Sequence, residues 1–408
     1  MLFKKVNKTD EILVNSVSIV DEIFYICIKN FMKYIERVIK SDFLKRIKLG
    51  KVLLLLGARR VGKTFFLNTI QEELKEKFLR LNGEDIFTMD ILSKRTRKNY
   101  ADLIEDNKIL IIDEAQKIPE IGNILKFIVD EFPKLKLIVT GSSMFDLKNK
   151  LGEPLTGRKY TMMLFPIAQM ELRKIQSIVE LKTSLPDRLI YGSYPEIFSI
   201  KTKQGKIEYL RELASDYLLK DILTIEGVRY SSQMLNLLKL LAYQVGSEVS
   251  YQELGKQLGI SKNTVERYMD LLSKTFIIHR VSGFSRNLRN EVTKNIKWYF
   301  YDNGILNVFL NNFNALDRRQ DVGKLWENFM VSERLKYQYY RRMNVNNYFW
   351  RTYTQQEIDW IEERNSKLYA YEFKWRLNKK VHIPTLWKEN YSNNFKVIHS
   401  NNFLEFVS

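Results

Sequence analysis

Short, strongly apolar runs punctuate the first third of the chain. Residues 52–56 (VLLLL), 109–112 (ILII) and 135–139 (LKLIV) are strand-sized and fit strands buried in a parallel sheet. The segment after residue 62 changes to a helical pattern. Further along, Ile207, Leu210, Leu213, Ala214, Tyr217 and Leu218 form one stripe at helical spacing, and residues 234–245 form another. Residues 249–272 predict two short helices about a turn at Gly259, with Leu254, Leu258, Ile260, Val265, Leu271 and Leu272 as their core. Segments 276–280 and 297–300 predict paired strands around a basic loop at 286–290. A helix over 323–335 then precedes strands at 348–353, 357–361 and 368–375, with further strand-like pieces at 395–398 and 403–406. This pattern predicts an α/β chain in four parts. Residues 1–180 carry a parallel-sheet domain, 181–245 a helical lid or connector, 246–320 a winged helix, and 321–408 a small α/β domain.

The first apolar run leads into Gly57-Ala58-Arg59-Arg60-Val61-Gly62-Lys63-Thr64, a complete GxxxxGKT between strand and helix. Its glycines let backbone amides turn inward around a phosphate, and the following helix N-terminus favours the anion. Lys63 is expected against the β- and γ-phosphates of ATP and Thr64 on Mg²⁺. The second run ends in Asp113 and Glu114, expected to complete the magnesium shell and to orient or deprotonate water. The third runs through Thr140 into Gly141, Ser142 and Ser143. Thr140 or Ser142 is a candidate for sensing the γ-phosphate, because small hydroxyl residues at a strand's C-terminal end face the ligand crevice of an open α/β sheet. Arg158 is a candidate for meeting γ-phosphate charge, from its own chain or from a neighbour.

These residues, in this order, resemble the archaeal and bacterial AAA-type, STAND-like P-loop ATPases that carry a C-terminal domain of unknown function. The resemblance rests on residues 59–64, Ile112-Asp113-Glu114-Ala115-Gln116, Thr140-Gly141-Ser142-Ser143, Gly157-Arg158, Phe165-Pro166-Ile167 with Glu171, and Tyr191 to Glu196. It implies an AAA-type P-loop domain binding ATP with Mg²⁺. The chain departs from the family pattern at Gly192-Ser193, where two adjacent glycines are usual; that changes a turn and not a catalytic group.

Downstream, the helix after Gly259 offers Lys262, Asn263, Thr264, Arg267 and Tyr268 as outward residues, the layout of a helix-turn-helix touching DNA mainly at phosphates. Ser261 or Asn263 can cap that helix. Beyond residue 321, the α-β-β-β order with Glu327, Asp359, Glu372 and Lys374 resembles a restriction-endonuclease-like nuclease core. Glu372 and Lys374 share a strand face, and the three carboxylates suit a second Mg²⁺ or Mn²⁺. The alternatives to cleavage are binding without cutting and charge pairing that merely stabilises the domain.

Composition narrows the partners. Lys and Arg number 66 against 48 Asp and Glu, a net charge of +18, which favours a polyanion such as DNA. A protein partner and a homo-oligomer remain alternatives. Cys27 is the single cysteine, so an internal disulfide is excluded, and His279, His382 and His399 lack ligand spacing. The longest apolar run is strand-sized, and the first residues are charged where a signal peptide is apolar. A cytoplasmic ATPase without membrane contact is the expectation.

Overall fold

The computed structural model describes residues 35–142, 155–215, 231–285, 296–377, 380–391 and 393–408. Cys27, Ser143, Tyr217, Leu218 and the loop at 286–290 lie outside the described residues. Among the described residues, no helix is long and apolar enough to cross a membrane.

Strands β1 (Val52–Leu56), β2 (Phe78–Asn82), β3 (Ile109–Asp113), β4 (Lys136–Gly141) and β5 (Lys159–Met163) form one parallel sheet in the order β2-β3-β4-β1-β5. β1 and β3 are buried along their whole length, so their sequences carry no polar alternation. The register sets Leu56 beside both Gly141 and Met163 and Asn82 beside Asp113. The C-terminal strand ends therefore share one rim, where ligands of open parallel sheets bind. From that rim α1 (Lys63–Gln71) runs back over the sheet and buries Phe66, Leu67 and Ile70.

The helical stripes fold as expected into Lys203–Glu212 and Ser231–Tyr243. Next come α2 (Tyr251–Leu258) and α3 (Lys262–Lys274), separated by Gly259 in the left-handed conformation at φ 67°. Ser261, not Asn263, caps α3 by accepting from the Thr264 amide at 3.1 Å. Strands β6 (Ile278–Gly283) and β7 (Ile296–Phe300) pair antiparallel as expected.

Their sheet does not end there. α4 (Val322–Tyr340) leads to β8 (Asn346–Arg351), β9 (Glu357–Arg364), β10 (Lys367–Phe373) and β11 (Phe395–Ile398). All six strands make one sheet in the order β11-β10-β9-β8-β6-β7, and β6 joins β8 in parallel at Ser282↔Tyr348 and Gly283↔Phe349. The strand-like piece at 403–406 is instead a turn of helix, Leu404–Val407. Phe403, Phe406 and Val407 stand at i, i+3 and i+4 and bury against the chain's main core, with Phe403 on Trp326 and Phe406 on Tyr371.

The two sheets are tied through Arg37. Its guanidinium donates to Glu171 Oε1 at 3.0 Å, the Val61 carbonyl at 3.0 Å and the Phe165 carbonyl at 2.5 Å, and it reaches the Tyr340 hydroxyl at 3.5 Å. Glu171 is fully buried and also accepts from the Val38 and Ala168 amides. At the end of α4, Tyr340 and Tyr339 accept from the amides of Phe165 and Met163, at the end of β5. Arg37→Met strands the Glu171 carboxylate in the interior and should cost about 3–5 kcal/mol in urea unfolding. Tyr340→Phe should cost about 1 kcal/mol. A loss below about 1 kcal/mol for Arg37→Met would mean that the carboxylate finds water or another donor.

Candidate functional site

At the rim of the first sheet, residues 57–64 wrap the N-terminus of α1. Gly57 is required by close approach, because a Cβ there would lie 2.2 Å from the Leu164 carbonyl oxygen. Gly62 adopts φ 91° and Arg60 φ 65°, the left-handed turns that bring successive amides to one side. Ala58 and Val61 are buried under the loop, while Arg59 reaches Glu84 at 3.6 Å. Lys63 is buried in the loop's concavity. Its ammonium donates to the carbonyls of Gly57 at 3.1 Å and Ala58 at 3.2 Å and stands 3.9 Å from Glu114.

Thr64 Oγ1 donates to Asp113 Oδ2 at 3.1 Å, so the two expected metal ligands meet. A hydroxyl and a carboxylate oxygen this close, at a helix N-terminus, are the hard donors that suit Mg²⁺ beside a phosphate. Thr140 donates to the other Asp113 oxygen and accepts from the Glu114 amide at 3.0 Å. Burial works to raise the Asp113 pKa, but hydrogen bonds from Thr140, Arg80 and Thr64 outweigh it and hold the carboxyl below its ordinary range. Glu114 sits at φ 49°, uncommon for a residue with a side chain. Gln116 donates both to the Glu114 carboxylate and to Ser142 Oγ, the latter at 2.9 Å, and so links base and sensor candidates.

Two members of this network escaped sequence reading as site residues. Gln116 was visible within the Asp113–Gln116 string but carried no assigned role. Arg80, on β2, donates to Asp113 Oδ2 at 2.7 Å and Asn68 Oδ1 at 2.6 Å. No local motif marks it, since Asp113 lies 33 residues away.

Arg158 is not in this site. It precedes β5, where its carbonyl accepts from the Val52 amide, and its guanidinium pairs with Asp130. It stands at the opposite end of β1 from the phosphate loop, roughly 16 Å away at strand rise. The structure therefore does not bring Arg158 to its own chain's phosphate loop.

The helix-turn-helix face also needs correction. Lys262, Asn263 and Arg267 are exposed, but Thr264 is half-buried and bonded to Ser261. Tyr268 is buried, because it follows Val265 by three positions and precedes Leu271 and Leu272 by three and four. Exposed Glu266 and Asp270 interleave with the basic residues, so the face carries both signs.

Glu327, Asp359, Glu372 and Lys374 do converge, yet with a different occupant. Lys297, from β7 and 1% exposed, pairs with Glu357 and stands 3.6 Å from Glu327. Tyr299 donates to Glu327 at 2.7 Å, the Phe373 amide donates to Asp359 at 2.7 Å, and Lys374 donates to Glu372 at 2.6 Å. Among the described residues, no three His, Cys, Asp or Glu side chains are arranged to hold a metal ion. Lys297 and Lys374 thus pair with two of the carboxylates expected to hold a second metal. Burial pushes Glu327 up to about 7 against the pull of Lys297, and burial with the Asp359 charge pushes Glu372 up to about 7.

Residues 49–173 match a family model described as an AAA domain. Residues 182–316 and 322–399 match two domains of unknown function, DUF8612 and DUF4143. An uncharacterized protein of Mycobacterium tuberculosis is 25% identical over 334 residues, covering 79% of this chain and 70% of that one. One from Methanocaldococcus jannaschii is 23% identical over 316 residues, covering 73% and 69%. Among solved structures, the Walker-type ATPase of Pyrococcus abyssi is similar at a TM-score of 0.47 and 15% identity, covering 68% of this chain and 96% of that one. The replication initiator DnaA bound to AMPPCP and single-stranded DNA gives 0.30 and 13%, covering 58% and 86%.

The raised carboxylates predict a pH dependence. The folded state holds protons at Glu327 and Glu372 that the unfolded chain releases near its ordinary pKa, so their contribution to stability falls as pH rises through about 7. Glu372→Gln fixes the neutral form. It should raise the melting temperature at about pH 8, leave it nearly unchanged at about pH 4, and flatten the slope between. An identical slope in the variant would show that Glu372 stays ionised in the folded protein.

Proposed function

We propose that this chain, with a P-loop ATPase domain of the AAA type joined to a C-terminal domain of unknown function, binds ATP with Mg²⁺ and hydrolyses it as a nucleic-acid-associated molecular switch. The observation that carries the ATPase reading is the meeting of Lys63, Thr64, Asp113 and Glu114 at one rim of the sheet. The amides of residues 57–64 cradle the phosphates, and Lys63 exchanges its loop carbonyls for β- and γ-phosphate oxygens. Thr64 and Asp113 would hold a magnesium ion, which would supply charge neutralisation at the transferring phosphoryl group. Glu114 orients the attacking water and accepts its proton as the bond to the γ-phosphorus forms and the β–γ bridge breaks. Thr140 and Ser142, bonded to Asp113 and Gln116, register the outcome.

Coupling to the rest of the chain is supported by Arg37, which touches the loop at Val61 and α4 at Tyr340. Nucleic acid is the favoured partner because the chain carries +18 and exposes Lys262, Asn263 and Arg267 at the start of α3. Metal-dependent cleavage by Glu327, Asp359, Glu372 and Lys374 would require a metal to displace Lys297 from Glu327 and Lys374 from Glu372.

Lys63→Ala should abolish nucleotide binding in fluorescence titrations. Glu114→Gln should bind ATP like wild type while turnover falls roughly 10²- to 10⁴-fold; undiminished turnover would remove Glu114 as the base. Lys262→Ala with Arg267→Ala should weaken DNA binding uniformly across sequences and reduce its salt slope by about 2. DNA affinity that ignores both salt and these changes would redirect the search to a protein partner.

A further inference from the structure

We infer that Arg80 is a resident cation that holds the place of Mg²⁺ and sets the metal concentration at which the site switches on. This inference rests on the ATP·Mg²⁺ reading above. Asp113 Oδ2 is the oxygen that faces Thr64, and it receives two donors at once, Thr64 Oγ1 at 3.1 Å and Arg80 Nη2 at 2.7 Å. A divalent cation held between Thr64 and Asp113 needs that same oxygen. The guanidinium therefore competes with it directly and repels it across a few ångströms.

Arg80 is built into this position. Its second nitrogen is fixed by Asn68 at 2.6 Å, with Gln71 at 3.4 Å, both on α1, the helix that starts at the phosphate loop. The side chain is only 26% exposed, so its charge is incompletely screened. Asp113 itself is buried, and an unpaired carboxylate there would be expensive without a cation. Arg80 resolves this: it neutralises Asp113 before the metal arrives and yields as the metal takes over. Its anchor on α1 lets it step aside without leaving the site, because Asn68 and Gln71 remain as acceptors. Arg80 is thus a positioning residue that acts through Asp113 and opposes metal entry.

The test is a Mg²⁺ titration of fluorescent ATP-analogue binding, run with full-length wild type, Arg80→Gln, Arg80→Met and Arg80→Lys, with an EDTA arm for metal-free binding. Melting temperature in the absence of nucleotide reports folding. In both neutral variants the half-saturating Mg²⁺ concentration should fall, on the order of 3- to 10-fold for one removed, partly screened charge. Arg80→Lys should stay within about two-fold of wild type, since it retains the charge. An unchanged or raised Mg²⁺ midpoint in a neutral variant that melts like wild type would overturn the inference. Absence of nucleotide binding in wild type, with and without metal, would instead sink the ATP reading itself, and Arg80's role with it.

Discussion

The buried ion pair between Arg37 and Glu171 is the constraint around which this molecule is organised. One guanidinium satisfies acceptors from the phosphate loop, from the segment that leaves the first sheet, and from the last turn of α4. The Val61 and Phe165 carbonyls are in buried residues and Tyr340 is half-buried, so separating the three elements would cost these hydrogen bonds. Aromatic packing follows the same line, with Phe165 against Tyr301, Tyr339 and Tyr340. The loop that grips phosphate and the helix that supports the second sheet thereby share one anchor.

Two charge clusters answer the cost of burying carboxylates in opposite settings. At the open rim, Arg80 neutralises Asp113 beside an exposed Thr64, where a competing cation can enter. In the second sheet, the cation itself is enclosed: Lys297 is buried, while its partners Glu327 and Glu357 are half-buried. The chemistry is similar; what differs is the cation, a partly exposed arginine at the rim and a buried lysine in the second sheet. Buried carboxylates with raised pKa values invite a catalytic reading, yet ion-pair networks produce the same shifts.

What sequence made legible was local. The phosphate loop, the strand ending in Asp113 and Glu114, and the two helices about Gly259 are contiguous strings whose chemistry depends on spacing along the chain. What stayed hidden was set by distance in sequence. Arg37 meets Glu171 across 134 residues and Lys297 meets Glu357 across 60, and although Glu171 belongs to the family pattern, no spacing points to either partner. Tyr268 was misassigned for another reason: residue type suggested an outward ring, while its spacing from Val265 and Leu272 already placed it on the core side. The segment at 403–406 shows the limit for short apolar runs, which fit a strand or a turn of helix until their packing partners are known.

The join of β6 to β8 gives the region after residue 245 a mechanical identity that its segment boundaries conceal. A protein trimmed to begin at residue 321 would carry β8 with its β6 side stripped, presenting unpaired amides and carbonyls beside Tyr348 and Phe349. Such a fragment would be prone to aggregate during expression. The converse fragment, ending before α4, would lose Asn328, which accepts from the Phe300 amide and donates to the Phe300 carbonyl. The strands from β6 to β11 therefore stand or fall together, whatever modular history assembled them.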